Sequence, residues 1–177
     1  MAAGVAAKKS ATILDVGIGS GAASLCILAR EKNVKITGID ISPEMLKNCK
    51  TNFELNNFEA ELINSDILKW KTVRTFDIVM TNPPFFSGTA RADAAHHNAN
   101  IFEWTRACVR RLKPRGMFYC IIDGPKIPDV IAALYDAKMG GVQIAPLQTG
   151  NKIERVIICA RSGVKTPAII FPPLDFL

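Results

Sequence analysis

The chain has 177 residues, 49% of them hydrophobic and 21% charged, which suits one globular domain with its own core. This composition excludes a disordered chain, and no apolar run approaches the roughly 20 residues of a membrane span. Lysine and arginine exceed the acidic residues by 22 − 16 = 6, which favours an anionic partner such as RNA.

The first half of the chain alternates predicted strands and helices. The opening "MAAGVAAKKS" lacks the basic and then apolar order of a signal peptide, so we expect a cytoplasmic protein. A first strand, "ATILDV", ends at Asp15, and the glycine-rich "GIGSGA" leads from it into the helix "ASLCILARE". The second strand is "VKITGID", and a second helix is predicted over "SPEMLKNCKTNFELNN".

Residue types at the start of the second helix support its prediction. Ser42 suits the N-cap position and Pro43 the first helical position. Met45, Cys49 and Phe53 recur at helical spacing, so we expect them to form its buried face.

The second half continues the same alternation. "EAELIN" and "FDIVMTN" predict strands, followed by the helix "NIFEWTRACVRRL", the turn "KPRG" and the strand "MFYCIID". A helix around "PDVIAALYDAK" precedes the strands "VQIAP" and "RVIICARSG", and the last residues, "TPAIIFPPLDFL", fit no further unit. Because helices separate the strands, the sequence predicts a doubly wound α/β fold with a mostly parallel sheet and one domain over 1–177.

The glycine loop after the first strand is the first candidate site. In doubly wound folds, ligands bind at the carboxyl ends of the strands, where the strand order reverses beside the first strand. Gly17, Gly19 and Gly21 permit a tight turn and a close approach of the backbone to a ligand. The pattern also satisfies a loose dinucleotide motif, and a turn that merely needs glycines is the simpler alternative.

Acidic residues follow successive strands at the same edge. Asp40 ends the second strand about twenty residues after the loop, where a carboxylate can accept from both hydroxyls of a ribose. Asp66 is predicted to end the third strand and can accept from an adenine amino group, and Asp15 ends the first strand before the glycines. Each alone is explained by a surface or capping position, but together they favour a site for an adenosine-containing ligand, NAD included.

The stretch "NPPF" after the fourth strand is the second candidate site. Asn82 and Pro83 offer oxygen acceptors, and the prolines Pro83 and Pro84 provide no competing N–H. A residue before proline is held near extended geometry, so the acceptors are fixed in advance. They suit a planar –NH₂ group whose ring stacks on Phe85, and accepting both N–H bonds aims the nitrogen lone pair at an electrophile. A simple strand terminator is the alternative.

The remaining reactive or charged residues have more than one interpretation. The cysteines are widely spaced without ligand partners, so we expect five small buried hydrophobes and no metal: Cys26, Cys49, Cys108, Cys120 and Cys159. His96 and His97, in a polar loop with Arg91, are candidates for RNA phosphate contacts or have no special role.

A basic helix face is predicted from arginine and lysine spacing. Arg106, Arg110 and Lys113 recur at helical spacing, with Arg111 and Arg115 nearby, so they are candidates for binding tRNA phosphates or form an ordinary solvated face. We expect Trp104 in the core rather than as a stacking platform.

The order of these motifs carries a family resemblance. "DVGIGSG", "GID", "NSDI" and "TNPPFF" resemble the class I S-adenosylmethionine-dependent amino-methyltransferases, which act on adenine N6 or glutamine N5. More closely, "VMTNPPFF", "ARADAAHH" and "ERVIICARSGVKTP" resemble bacterial adenine-N6 methyltransferases of the valine-tRNA anticodon-loop type.

This resemblance implies a Rossmann-like, seven-stranded sheet and a role for each motif. The glycines would contact the methionine part of S-adenosylmethionine, Asp40 its ribose and Asp66 its adenine. The implied cofactor set is Asp15, Gly17, Gly19, Gly21, Asp40, Ile41, Asp66 and Ile67, and the implied catalytic set is Asn82, Pro83, Pro84 and Phe85. Relatives carry an N-terminal segment of which "MAAGVAA" would be a remnant.

The function expected from the sequence is methylation of adenine N6 in tRNA. A protein-glutamine N5-methyltransferase is the nearest rival, because a glutamine amide presents the same –NH₂ geometry. A shortened, inactive RNA-binding module is a third interpretation, and an NAD-dependent oxidoreductase is a fourth. The oxidoreductase interpretation gives "NPPF" no role in binding or catalysis.

Overall fold

A computed structural model describes residues 4–83 and 100–175 of the chain. Within these ranges, no helix is long and apolar enough to cross a membrane. A short 3-10 turn (Gly124–Lys126) precedes the last helix. The elements in chain order are β1 (Thr12–Val16), α1 (Ala22–Arg30), β2 (Lys35–Asp40), α2 (Pro43–Leu55), β3 (Glu61–Asn64), β4 (Phe76–Thr81), α3 (Ile101–Val109), β5 (Leu112–Asp123), α4 (Ile127–Asp136), β6 (Met139–Thr149), β7 (Lys152–Ser162), β8 (Ile169–Ile170) and β9 (Leu174–Asp175).

All of these strands belong to one sheet, in which the main strands lie in the order β3-β2-β1-β4-β5-β7-β6. Neighbouring strands are parallel except where β7 pairs with β5 and β6. The prediction of a doubly wound, mostly parallel sheet is confirmed. The sheet has nine strands rather than the seven expected, because the C-terminal segment adds β8 and β9, of two residues each, beside β6.

Helices cover both faces of the sheet, and the alternation along β1 shows how. Ile13 packs into the cluster that α1 and α2 cover, whereas Leu14 and Val16 pack into the cluster on the α3 and α4 side. Asp15 lies between them in a strand whose side chains alternate, so it faces the α1 and α2 layer. The strand order reverses between β1 and β4, which makes the ends of these two strands the expected place for a ligand.

The start of α2 agrees with the sequence prediction, but its buried face is rotated. Ser42 is the N-cap, and its Oγ accepts a hydrogen bond from the Met45 N–H at 3.3 Å. Cys49 and Phe53 are buried as expected, whereas Met45 is 44% exposed and Leu46 takes the third buried position. The prediction for Met45 is wrong because residues at i, i+3 and i+7 from Leu46 share the inner face of the helix.

The predicted turn "KPRG" interrupts the pairing of β4 with β5. Phe76 pairs with Leu112 and Ile78 with Met117, so residues 113–116 bulge from the ladder. Arg115 has a φ of 63° at this bulge.

The cysteines are buried less uniformly than expected. Cys49, Cys108 and Cys120 are buried, Cys159 is half-buried and Cys26 is exposed. The expectation is therefore wrong for Cys26, because Ser24, Ile27 and Leu28 form the inner face of α1.

Candidate active site

Strand register brings the two predicted sites to the same edge of the sheet. Val16 pairs with Thr81 of β4 and with Ile39 of β2. Gly17 and Asn82 therefore lie side by side, each directly after the end of its strand. On the other side, Asp40 pairs with Asn64 of β3. The glycine loop therefore lies between Asp40 and Asn82.

The glycine loop needs its glycines for conformation, but only one of them faces open space. Gly17, Gly19 and Gly21 have φ angles of 70°, 54° and 83°, in the left-handed region that L side chains rarely adopt. A Cβ at Gly21 would lie 2.6 Å from the Phe53 ring, because α1 begins there against α2. A Cβ at Gly19 would have no atom within 4 Å. Of the three glycines, Gly19 alone has open space beside its backbone.

The Asp40 carboxylate holds the loop and the start of α2 together. Its Oδ2 accepts from the Gly19 N–H at 2.9 Å, and its Oδ1 accepts from the Ser42 N–H at 2.9 Å. Asp40 is half-buried, and the Ile41 side chain beside it is 46% exposed. A fixed acceptor next to an exposed apolar side chain is suited to a sugar that carries a flat ring.

Asp66 lies at the same edge but in a turn rather than at the end of a strand. β3 ends at Asn64, and Asp66 Oδ1 accepts from the Leu68 N–H at 2.9 Å. Asn64 Nδ2 donates to the carbonyls of Asp40 at 3.1 Å and Ile41 at 2.9 Å, which fastens the end of β2 to β3. Ile67 is only 3% exposed and packs in the core, so its side chain presents no open surface to a ligand.

Asp15 lies beneath the glycine loop rather than on its surface. It is 3% exposed, and its Oδ2 accepts from the Ser24 hydroxyl at 2.7 Å. Burial raises the pKa of Asp15 to about 7, the Ser24 hydrogen bond opposes this rise, and the nearby Asp40 adds to it. The geometry differs from the predicted ligand contact, since the carboxylate bonds to the first turn of α1.

Asn82 and Pro83 follow β4 directly at this edge. Asn82 is exposed and Pro83 is buried, so the asparagine side chain is open to a substrate. Pro84 and Phe85 lie outside the described residues, as do Arg91, His96 and His97.

Two residues that sequence reasoning did not assign to the site join the ends of β1 and β4. Thr81 is fully buried, and its hydroxyl bonds to the Val16 carbonyl and to the indole of Trp104. Trp104 packs partly buried against the core, as expected, but its ring also lies beside Gly17. The signal in the sequence was the polar Thr81 directly after the apolar residues 78–80 of β4.

The predicted basic helix face does not form. α3 ends at Val109, and Lys113 lies in the β5 bulge, where its Nζ pairs with Asp77 at 2.9 Å. Arg106 pairs with Asp136 at 3.0 Å and with Glu103 at 3.5 Å. The prediction is wrong because the helix ends before Lys113, and because Arg106 and Lys113 form ion pairs with carboxylates.

Comparison with known protein families gives one match that covers most of the chain. The model of the methyltransferase small domain matches residues 2–140.

Two curated relatives differ in how much of the chain they match. A tRNA1(Val) (adenine(37)-N6)-methyltransferase of Shewanella halifaxensis is 27% identical over 172 residues, covering 89% of this chain and 70% of that protein. A release factor glutamine methyltransferase of Lactococcus lactis is 39% identical over 80 residues, covering 45% of this chain and 29% of that protein. The chain thus spans between about a third and two thirds of the length of most curated relatives it matches first.

Solved structures share the fold over nearly the whole chain. A crystal structure described as a predicted O-methyltransferase from Agrobacterium tumefaciens has a TM-score of 0.81 at 22% identity, covering 98% of this chain and 84% of that one. The N-methyltransferase NodS of Bradyrhizobium japonicum, solved with S-adenosyl-L-homocysteine, has a TM-score of 0.68 at 15% identity, covering 88% of this chain and 80% of that one. At these identities the likeness shows a shared fold.

Proposed function

We propose that this chain, which belongs to the methyltransferase small domain family, transfers a methyl group from S-adenosylmethionine to N6 of an adenine in tRNA. The family and the fold indicate S-adenosylmethionine as the cofactor. The observation that carries the proposal is the pairing of Val16 with Thr81, because it sets Asn82 beside the start of the glycine loop.

The residues around the glycine loop fit an adenosine-bearing cofactor. Gly19 leaves open space where any side chain would project, and Asp40 is held by two backbone N–H groups. Each carboxylate oxygen retains acceptor capacity after one such bond, which suits ribose hydroxyls. The exposed Ile41 would pack against the adenine, and Asp66 would accept from its amino group. When bound, S-adenosylmethionine supplies an electrophilic methyl group.

Asn82 would orient the amine that receives this methyl group. The lone pair of an adenine amine is delocalised into the ring, which makes the nitrogen a poor nucleophile. The Asn82 side-chain oxygen and the Pro83 carbonyl would accept from its two N–H groups and so favour a pyramidal nitrogen. Pro83 and Pro84 hold the residues before them near extended geometry, so these acceptors need little rearrangement.

Two observations support tRNA as the substrate. The match to the tRNA-modifying relative extends over 89% of the chain. The net charge of +6 favours a polyanion, and an unstacked anticodon loop lowers the cost of presenting one base.

A glutamine side chain of a protein is the second candidate substrate. The relative named as a release factor glutamine methyltransferase is 39% identical over 80 residues, a higher identity over a shorter stretch. A glutamine amide would offer the same pair of N–H donors to Asn82 and Pro83, so the geometry of this strip suits both substrates.

The decisive experiment supplies both substrates to the same protein. The chain is incubated with S-adenosylmethionine labelled in its methyl group, once with total tRNA and once with a glutamine-containing release factor, and the products are analysed as nucleosides and as peptides. We expect label in N6-methyladenosine. Label in methylglutamine would replace the substrate assignment, and label in neither would overturn the proposed function. Binding of tRNA without turnover would identify an RNA-binding module.

A further inference from the structure

Thr81 is a polar residue at the centre of the candidate active site with no role so far assigned. It is the last residue of β4, it is fully buried, and Asn82 follows it directly. Its Oγ1 lies 2.8 Å from the Val16 carbonyl oxygen and 3.1 Å from Nε1 of Trp104. A buried hydroxyl with two partners joins three separate elements at this point.

The donor and acceptor in each of these bonds follow from chemistry. An indole N–H only donates, so the Thr81 oxygen must accept from Trp104. A carbonyl oxygen only accepts, so the single hydroxyl proton of Thr81 goes to Val16. The chain of bonds therefore runs from Trp104 through Thr81 to Val16, and we name these three residues the strand-end lock.

The strand-end lock lies between the two halves of the proposed site. Val16 precedes Gly17, the first residue of the glycine loop, and Thr81 precedes Asn82. The Trp104 ring also lies beside the loop, since a Cβ added at Gly17 would be 3.7 Å from it. One side chain of α3 thus lies next to the start of the glycine loop and donates to the residue before Asn82.

The association of β1 with β4 does not require the lock. The two strands are already paired from Ile13 and Ile78 to Val16 and Thr81. The hydroxyl adds its bond at the last pair, where the ladder ends and the two loops diverge. Such a bond has its main effect on the relative position of the segments that follow.

We propose that Thr81 and Trp104 are positioning residues that set Asn82 relative to the glycine loop, and so align the substrate amine with the methyl donor. This inference rests on the proposed function, since it concerns the same site. Neither side chain need touch the reacting atoms, because each acts through the residue beside it.

The test uses a change that keeps shape but removes the hydroxyl. Thr81→Val breaks both bonds of the lock, while Thr81→Ser keeps the hydroxyl. We expect Thr81→Val to lower kcat by up to ~10²-fold, the scale of a small misplacement of reacting groups. Binding of S-adenosylhomocysteine should change less than about threefold, since the charged and hydrogen-bonded contacts at Asp40 are untouched. Thr81→Ser should restore most of the rate.

Thr105 provides a matched control within the described residues. It is 1% exposed, and its Oγ1 has no hydrogen-bond partner there. Thr105→Val therefore makes the same chemical change in a buried site outside the lock, and we expect kcat close to that of the wild type.

Trp104→Phe tests the lock from its other end and does not depend on the folding of Thr81→Val. It keeps an aromatic ring beside Gly17 but removes the N–H, so we expect kcat to fall about tenfold, the equivalent of one hydrogen bond. Trp70→Phe is the control, because Trp70 is the other tryptophan of the chain and the Arg111 guanidinium lies over its ring, 5.5 Å from the ring centre.

A second readout does not involve turnover. With two tryptophans in the chain, the ¹⁵N spectrum has two indole N–H signals, which Trp70→Phe assigns. The Trp104 signal should exchange slowly with solvent in the wild type and in Thr81→Ser, and at least about tenfold faster in Thr81→Val.

The outcomes separate this inference from the proposed function. A wild-type protein that methylates no substrate would overturn both. An active wild type whose Thr81→Val variant turns over like Thr105→Val, or whose Trp104 N–H exchanges unchanged in Thr81→Val, would overturn the positioning role alone.

Discussion

Gly19 donates its backbone N–H to Oδ2 of Asp40 across 2.9 Å, so the open position of the glycine loop is tied to the acid at the end of β2. The other oxygen of the same carboxylate accepts from Ser42 at 2.9 Å, at the N-cap of α2. Asp40 therefore shapes the loop, and in the proposed function it also presents acceptors to the cofactor, so its substitution should reveal both roles.

Asp40→Ala should weaken binding of S-adenosylhomocysteine by about 10- to 100-fold, the equivalent of one hydrogen bond to a charged group. Asp40→Asn keeps one acceptor oxygen and should give an intermediate loss. Calorimetry with S-adenosylmethionine, S-adenosylhomocysteine and NAD measures these affinities, and Asp129→Ala, an exposed acid on α4, is the control. Tighter binding of NAD than of S-adenosylhomocysteine to the wild type would contradict the proposed cofactor.

Alanine substitutions at two glycines should separate binding from folding. Gly19→Ala places a methyl group in open space, so it should reduce cofactor affinity, with a stability loss of about 1–2 kcal/mol from its positive φ. Gly21→Ala drives a Cβ to 2.6 Å from Phe53 and should mainly destabilise the fold. Calorimetry and urea denaturation of each variant test this. Equal stability losses with unchanged affinity would mean that the loop is only a turn.

The sequence predicted the fold well because its signals are local. Prolines, glycines and caps such as Ser42 act on the residues beside them, and the alternation of strands with helices restricts the topology. The seven-strand expectation missed β8 and β9 because two-residue strands carry no period of their own. Met45 was misassigned because a helix face depends on its rotation against the sheet, which spacing alone leaves open.

The candidate site was predicted less completely, for reasons of geometry. The positions of Asp40, which ends β2, and Asn82, which follows β4, were predicted because the ends of these strands are visible in the sequence, whereas their roles stay predictions. The roles of Asp15 and Thr81 depend on which face of a strand they occupy and on partners in distant helices. Lys113 was placed on a helix because its spacing matched, although the chain had already left α3 at Val109.

The buried carboxyl of Asp15 should make stability depend on pH. Burial raises its pKa to about 7 in the folded protein, from 3.8 for the exposed group. Between these values the folded state binds one more proton than the unfolded state, so stability should fall as pH rises, by about 1.4 kcal/mol per pH unit from this group. Asp15→Asn should remove that slope between pH 5 and 6.5 in urea denaturation.

Ser24→Ala is the companion variant for this pH dependence. The Ser24 hydroxyl donates to Asp15 Oδ2 and lowers the pKa of the carboxyl, so its loss should carry the same slope to higher pH. Parallel stability curves for the wild type and Asp15→Asn across pH 5 to 6.5 would show that Asp15 does not titrate there.

The paired cations should contribute to stability rather than to RNA binding. Lys113→Gln removes the ion pair with Asp77 and should cost at most about 1 kcal/mol of stability, since both side chains are partly exposed.

Arg110 is exposed, and Arg110→Gln should reduce the salt dependence of tRNA binding by about one unit of slope if it contacts a phosphate. Binding measured between 50 and 200 mM salt compares the two variants. If Lys113→Gln reduced the salt dependence of tRNA binding, Lys113 would instead contact RNA.

Asn82 offers the sharpest separation of catalysis from binding. The register of β1 and β4 sets it at the end of the sheet beside Gly17, while Asp40 lies on the other side of β1, at the end of β2. Asn82→Ala should therefore lower single-turnover methylation by ~10²–10³-fold, the usual effect of losing one preorganised polar contact, and leave cofactor affinity unchanged. Asn82→Asp keeps an acceptor but loses the amide donor, so partial activity would identify acceptance as the main role. Phe85→Ala should instead weaken substrate binding by the ~1–3 kcal/mol of one stacked base. Single-turnover methylation is measured together with cofactor titration. Near-normal methylation by Asn82→Ala would show that the asparagine and the prolines after it only terminate a strand.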